Sequence, residues 1–222
     1  MRLSERLARD KRQYQELPDR NSKITFLWDY YKIPILAVLS VLFILLIALV
    51  NNAGRKEVSM YVVLLNNDSA VVECDPSVFD RVLEQAGYDV TKKQANVNVS
   101  YSLGNEKNES ADIETLQVLT ALFTVSDLDL YVAPKEYFDH FAVEDGFADL
   151  SALIDASLLD KNQEDLYYCH TSSGKDVLAG IVLHEGSLIH EAGYYHNDVI
   201  IGAVGQGEHL EEAVAFIREL LK

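Results

Sequence analysis

Eighteen consecutive residues from Ile33 to Val50, IPILAVLSVLFILLIALV, carry no charge and one polar side chain, Ser40. At a helical rise of about 1.5 Å per residue the run covers about 27 Å, close to the hydrocarbon thickness of a bilayer near 30 Å. A core helix of a water-soluble protein shows a polar face, and this segment has none. The sequence therefore predicts a membrane-spanning helix over 33–50. Trp28, Tyr30 and Tyr31 precede it, where amphipathic rings favour the headgroup zone, and Pro34 falls in the first turn, where a missing N–H costs nothing.

Charge orients the span. Residues 1–32 hold eight Lys and Arg against five acids, whereas 51–222 hold eleven against thirty, a net charge near −19. Basic residues stay on the cytoplasmic side, so the expected topology is a cytoplasmic tail over 1–32, a single span, a short linker over 51–57 and an extracytoplasmic domain over 58–222. Cleavage as a signal peptide is disfavoured: the apolar run exceeds the usual length, and Ala48 to Ala53 makes a poor cleavage pattern. The first cysteine is Cys74, well past the span, so no lipidation site stands at its exit. Leu3, Leu7 and Tyr14 among alternating charges predict a short amphipathic segment; a solvated tail without a partner is the leading reading, and basic residues resting on anionic lipid the alternative. The net charge of the chain, −16, argues against any broad grip on nucleic acid.

Beyond the linker the pattern alternates. Val58–Leu65 is a β-rich apolar run closed by Asn66-Asn67-Asp68; Asp75-Pro76 opens a helix with the stripe Val78, Phe79, Val82, Leu83; and 95–101 alternates with Val97, Val99 and Tyr101 on one face. Ser110 is expected to cap a helix to Thr124 that is apolar on most sides and therefore central. Strands are expected at 127–132, 166–169, 177–183 and 199–204, with helices after Pro134, near 149–154 and from Glu208. Such alternation predicts an α/β domain whose mainly parallel sheet is flanked by helices.

Few residues point to chemistry. His184, His190 and His196, with Glu185 and Glu191 between them, form the densest group of metal-ligating side chains. Two histidines six apart diverge around a helix, and Gly186 and Gly193 bend the segment, so loop-exposed histidines are the leading reading and a zinc-dependent or metal-free hydrolase the alternative. Gly202 to Gly207 follows a strand and opens a helix but falls short of a phosphate-binding fingerprint, and a turn explains its glycines. Ser172-Ser173-Gly174-Lys175 lacks a nucleophile-elbow setting. Asp127, Asp129, Asp139, Glu144, Asp145 and Asp149 read as a solvated acidic face. Cys74 and Cys169 are both expected outside the membrane; bonded, they would close a 96-residue loop worth about 4–5 kcal/mol, and two buried thiols fit the sequence equally well. No catalytic residue and no cofactor is assigned.

Three stretches resemble part of an extracellular solute-binding protein, the family that feeds sugars and peptides to ABC transporters: Asp127 to Phe138, Gly146 to Ser151 and Glu211 to Leu221. In that family the first reports a strand ending at the ligand cleft, the second an aromatic-acidic turn beneath it and the third a helix returning to the first lobe. Only fifteen residues separate the strand ending at Leu183 from the one starting at Val199, too few for a second lobe. The resemblance implies a single-lobe, membrane-anchored relative. The expected function is a non-enzymatic binding or accessory protein, a subunit of a transport-type membrane complex, whose partners are lipid along 33–50 and another membrane protein or a small ligand. A structural scaffold that holds the cytoplasmic tail near other membrane proteins is the remaining alternative.

Overall fold

The computed structural model describes residues 12, 14–15, 19–53, 56–70, 72–104 and 109–222. It divides into two compact units, Met1–Arg55 and Lys56–Lys222. In the first, one helix, α1, runs unbroken over Arg20–Ala53 and contains the whole apolar run, with Pro34 inside it. Its described apolar side chains are exposed around the circumference, among them Ile33, Leu36, Phe43 and Leu49. Among the described residues, no helix is long and apolar enough to cross a membrane; the side chains of Ile35, Ala48 and Val50, within the expected span, lie outside the described residues. Leu3 and Leu7 of the expected amphipathic segment also lie outside the described residues.

The second unit opens with the strictly alternating half of the fold. Strand β1 (Glu57–Leu64) leads through helix α2 (Ser77–Gln85) to β2 (Lys93–Asn98), and helix α3 (Glu109–Thr124) leads to β3 (Leu130–Ala133). Both connections are crossovers, so β2, β1 and β3 pair in parallel. The run Met60 to Leu65 is apolar at every position but Tyr61 because both faces are covered: Met60, Val62 and Leu64 face one core, Val63 and Leu65 the other. Helix α4 (Lys135–Val143) follows, then a short helix α5 (Ala156–Lys161), β4 (Leu166–His170), β5 (Asp176–Leu183), a one-turn helix α6 (Leu188–Glu191), β6 (Val199–Ala203) and α7 (Leu210–Leu220).

The sheet is mixed, where the sequence pointed to a mainly parallel one. Its order is β2-β1-β3-β6-β5-β4, and β6, β5 and β4 each pair antiparallel with their neighbours. Between β4 and β5 lies a tight turn in which Thr171 N–H donates to the Lys175 carbonyl at 2.8 Å, which permits only a hairpin. The segment between β5 and β6 contains one helical turn rather than a crossover helix, and it returns β6 beside β3 instead of beyond β4.

Helices α2 and α7 cover one face of the sheet, with Phe79 stacked on Phe216 at 5.6 Å, and α3 and α4 cover the other. The second face carries an aromatic cluster in which Phe138 stacks on Phe147 and Phe123 on Phe141, both at 4.2 Å. A fully buried phenylalanine contributes about 2–3 kcal/mol by removal from water, so these rings hold α4 to the sheet. Gly180 and Gly202 make room for them: a Cβ on either would stand 2.9 or 2.8 Å from the Phe138 ring tip.

Four local expectations are corrected. Helix α3 is peripheral rather than central, because Leu119 is its one fully buried residue while Ile113 and Val118 are exposed. It also begins at Glu109, so Ser110 lies inside it. Strand β2 ends at Asn98, whose Oδ1 accepts from Ser100 N–H at 2.9 Å and turns the chain, leaving Val99 exposed. Asp129 does not belong to a solvated face: it is 1% exposed.

Candidate functional site

In an open α/β sheet, ligands enter at the carboxyl ends of the strands where the crossovers part to opposite faces. Here that point lies between β1 and β3, since α2 covers one face and α3 the other. It is closed. Leu65 N–H donates to the Val132 carbonyl at 2.8 Å, and the next rung of a parallel ladder would bring an N–H from residue 134 to the Leu65 carbonyl. That residue is Pro134, which has no N–H. The Tyr195 hydroxyl takes its place, 2.8 Å from the Leu65 carbonyl and 3.1 Å from that of Val132, with its ring buried. Burial pushes this phenol well above the usual tyrosine range, so it stays a neutral donor. Tyr195→Phe is expected to cost about 1–2 kcal/mol in urea unfolding, the penalty for a buried carbonyl without its donor. An unchanged midpoint would mean that Leu65 is satisfied some other way.

The opposite end of β3 holds the most elaborate polar site. Asp129 sits just before the strand, and its carboxylate accepts three contacts: from Tyr61 N–H at 2.7 Å, from His209 N–H at 2.7 Å and, at 3.2 Å, from His209 Nδ1. Tyr61 N–H is a rung that β3 is too short to supply, and His209 opens α7, so one buried carboxylate closes a sheet edge and caps a helix whose positive end favours it. Gly207 permits this approach, because a Cβ there would lie 2.8 Å from Asp129 Oδ1 and 2.9 Å from the Leu128 carbonyl. The glycines of 202–207 are thus explained by packing and close backbone approach. Beside Asp129 opens a cavity of about 330 Å³, walled by Val58, Tyr61 and Leu122 and edged by Asp127 and Glu208.

The three histidines of the 184–196 segment take separate partners. His184 contacts Asp198 at 2.9 Å and Asp165 at 3.5 Å, His190 contacts the Ser187 hydroxyl at 2.7 Å and the Asn197 carbonyl at 2.8 Å, and His196 pairs with Asp68 at 2.7 Å. Among the described residues no three His, Cys, Asp or Glu side chains converge on a point where a metal ion would sit. These imidazoles fasten the loop that carries Tyr195, a role invisible in their spacing.

Both cysteines are free, and they pack on opposite sides of the sheet, Cys74 against the α2–α7 core and Cys169 in the α3–α4 core. Burial raises both thiols, Asp68 adding to the effect at Cys74 and Asp139 at Cys169, so neither is an activated nucleophile. Lys135, exposed, joins half-buried Asp139 at 2.9 Å and the hydroxyl of half-buried Tyr167. The contact with Tyr167 and then that with Asp139 raise its amine, the reverse of what a nucleophilic lysine needs.

Compared with family models, curated proteins and solved structures, the chain matches none.

Proposed function

We propose that the chain is a single-pass membrane protein whose extracytoplasmic α/β domain serves as an accessory subunit of a membrane complex, engaging a protein partner rather than capturing a solute. The observation that carries this reading is the closed crevice: the place where a single-lobe relative of a solute-binding protein would hold its ligand is filled by the chain's own Tyr195. A ligand there would have to displace a buried ring and orphan the Leu65 carbonyl. The anchor is supported by an uncharged apolar run of bilayer length lying inside one continuous helix, with apolar side chains exposed where lipid would cover them. The basic excess before Ile33 and the acidic excess after Val50 support an inward amino end.

Topology is the direct test. Protease added to intact cells is expected to remove an epitope placed after Lys222 and to spare one placed before Met1, with both lost once the membrane is opened. Protection of the carboxyl-terminal epitope in sealed cells would overturn the proposed orientation.

A further inference from the structure

Helices α3 and α4 leave one corner of their sheet face bare. Over the amino-terminal half of β1 and the adjoining β2, Val58 and Asn96 are exposed and Tyr61 is half-buried. Helix α3 reaches this corner through half-buried Leu122; Val118, one turn earlier on the helix, is 37% exposed, and Val125, just past its end, 58%. Val58 and the Tyr61 ring beside this helix flank make a surface that water covers poorly, with Asn96 at its polar rim. The cavity of about 330 Å³ lies at their junction.

Charge selects what fits there. Asp127 and Glu208 edge the cavity, are exposed, and form no ion pair among the described residues. Asp129 on the floor already accepts from Tyr61 and His209, so it adds negative charge without an unfilled role. The residues around this corner belong to a segment, 51–222, with a net charge near −19, whose field draws a cationic partner and repels an acidic one.

We infer that this corner docks a segment of a partner protein in which an arginine or lysine stands beside large apolar side chains. The cation lies between Asp127 and Glu208, and its neighbours cover Val58, Leu122 and Val118. That the partner is itself a membrane protein rests on the accessory-subunit reading. Binding of the segment does not, so a failed topology test and a failed binding test are separate results.

The test uses the full chain in nanodiscs of zwitterionic lipid, with empty nanodiscs as reference, and a short fluorescent peptide alternating leucine with arginine as probe. The peptide is expected to bind, its glutamate-for-arginine counterpart is not, and rising salt should weaken the complex. Asp127→Asn combined with Glu208→Gln should weaken binding about five- to tenfold, the scale of two partly exposed charge contacts. Val118→Ser should weaken it about threefold through lost apolar contact. Asp160→Asn combined with Glu164→Gln removes the same charge from exposed sites on and after α5 and should leave affinity within about twofold. Melting temperatures within about 2 °C of the parent would show that neither pair of acids is needed for folding, so that any change in affinity is an effect on binding. Equal weakening by the two double variants would reduce the effect to overall charge and overturn the inference. So would free agmatine competing at the peptide's own concentration, which would make the corner a small-cation pocket.

Discussion

Asp129→Ala is expected to destabilise the domain by about 2–4 kcal/mol, whereas Asp127→Ala, two residues earlier, should change stability by no more than about 0.5 kcal/mol. The two side chains are chemically identical and the difference between them is tertiary. Asp127 is exposed and has no hydrogen-bond partner among the described residues. Asp129 is buried, and its removal strands the Tyr61 and His209 N–H groups while withdrawing a negative charge from the amino end of α7. Asp129→Asn should recover part of the loss, since an amide oxygen still accepts one of the two bonds. Urea denaturation of the three variants checks this, and similar losses at both aspartates would show that Asp129 does not hold β1 to α7.

A larger effect is expected at Gly202. A Cβ there would lie 2.7 Å from the Ala179 carbonyl and 2.8 Å from the rings of both Phe138 and Phe147, so Gly202→Ala must shift backbone as well as side chains. The expected cost is about 3 kcal/mol or more, a fall of about 10 °C in melting temperature for a domain of this size. Gly174→Ala offers the contrast: it sits in the β4–β5 turn at φ +82° with nothing within 4 Å of a new Cβ, so only backbone strain of about 1–2 kcal/mol applies. Phe138→Ala is expected to relieve part of the Gly202→Ala penalty in a double-mutant cycle, because the ring tip is one of the three clashes. Strict additivity would mean that the ring and the glycine do not share the contact.

The aromatic cluster behind this glycine shows how unevenly the fold was legible. The helix after Pro134 that carries Phe138 and Phe141 was readable, and so was Gly202 as a glycine within a strand. Their meeting was not, because Gly202 pairs with Tyr131 across an antiparallel seam that local spacing does not specify. The same seam separates what was expected of the sheet from what formed. Strands β1, β2 and β3 are parallel because long amphipathic segments connect them, and those segments carry a helical period. The order of β4, β5 and β6 depends on β6 inserting between β3 and β5, a choice made by packing.

The candidate site was hidden for a related reason. An aspartate in an acidic chain looks solvated, and nothing within a few residues of Asp129 marks it as the partner of a helix eighty positions away. Tyr195 reaches a carbonyl 130 residues distant. Pro134 was the one legible signal for it, a missing N–H in a strand continuation that obliges some other group to donate. The three histidines drew attention by composition, yet they take separate partners: His196 pairs with Asp68 on the loop after β1, His184 with Asp165 just before β4 and Asp198 just before β6, and His190 with Ser187 and Asn197 of its own segment.

The sequence alone determined the apolar run of bilayer length, the charge contrast across it, the doubly buried strand β1 and the helical stripes of α2 and α7, because each is a periodicity or a composition written within one turn or one pleat. Tertiary structure alone decided that the sheet turns antiparallel after β3, that Asp129 is buried while Asp127 is not, that Tyr195 stops the crevice, and that α3 leaves a sheet corner bare. Each of those follows from contacts between distant segments, where burial and hydrogen-bond satisfaction select one arrangement among several that local propensity permits equally.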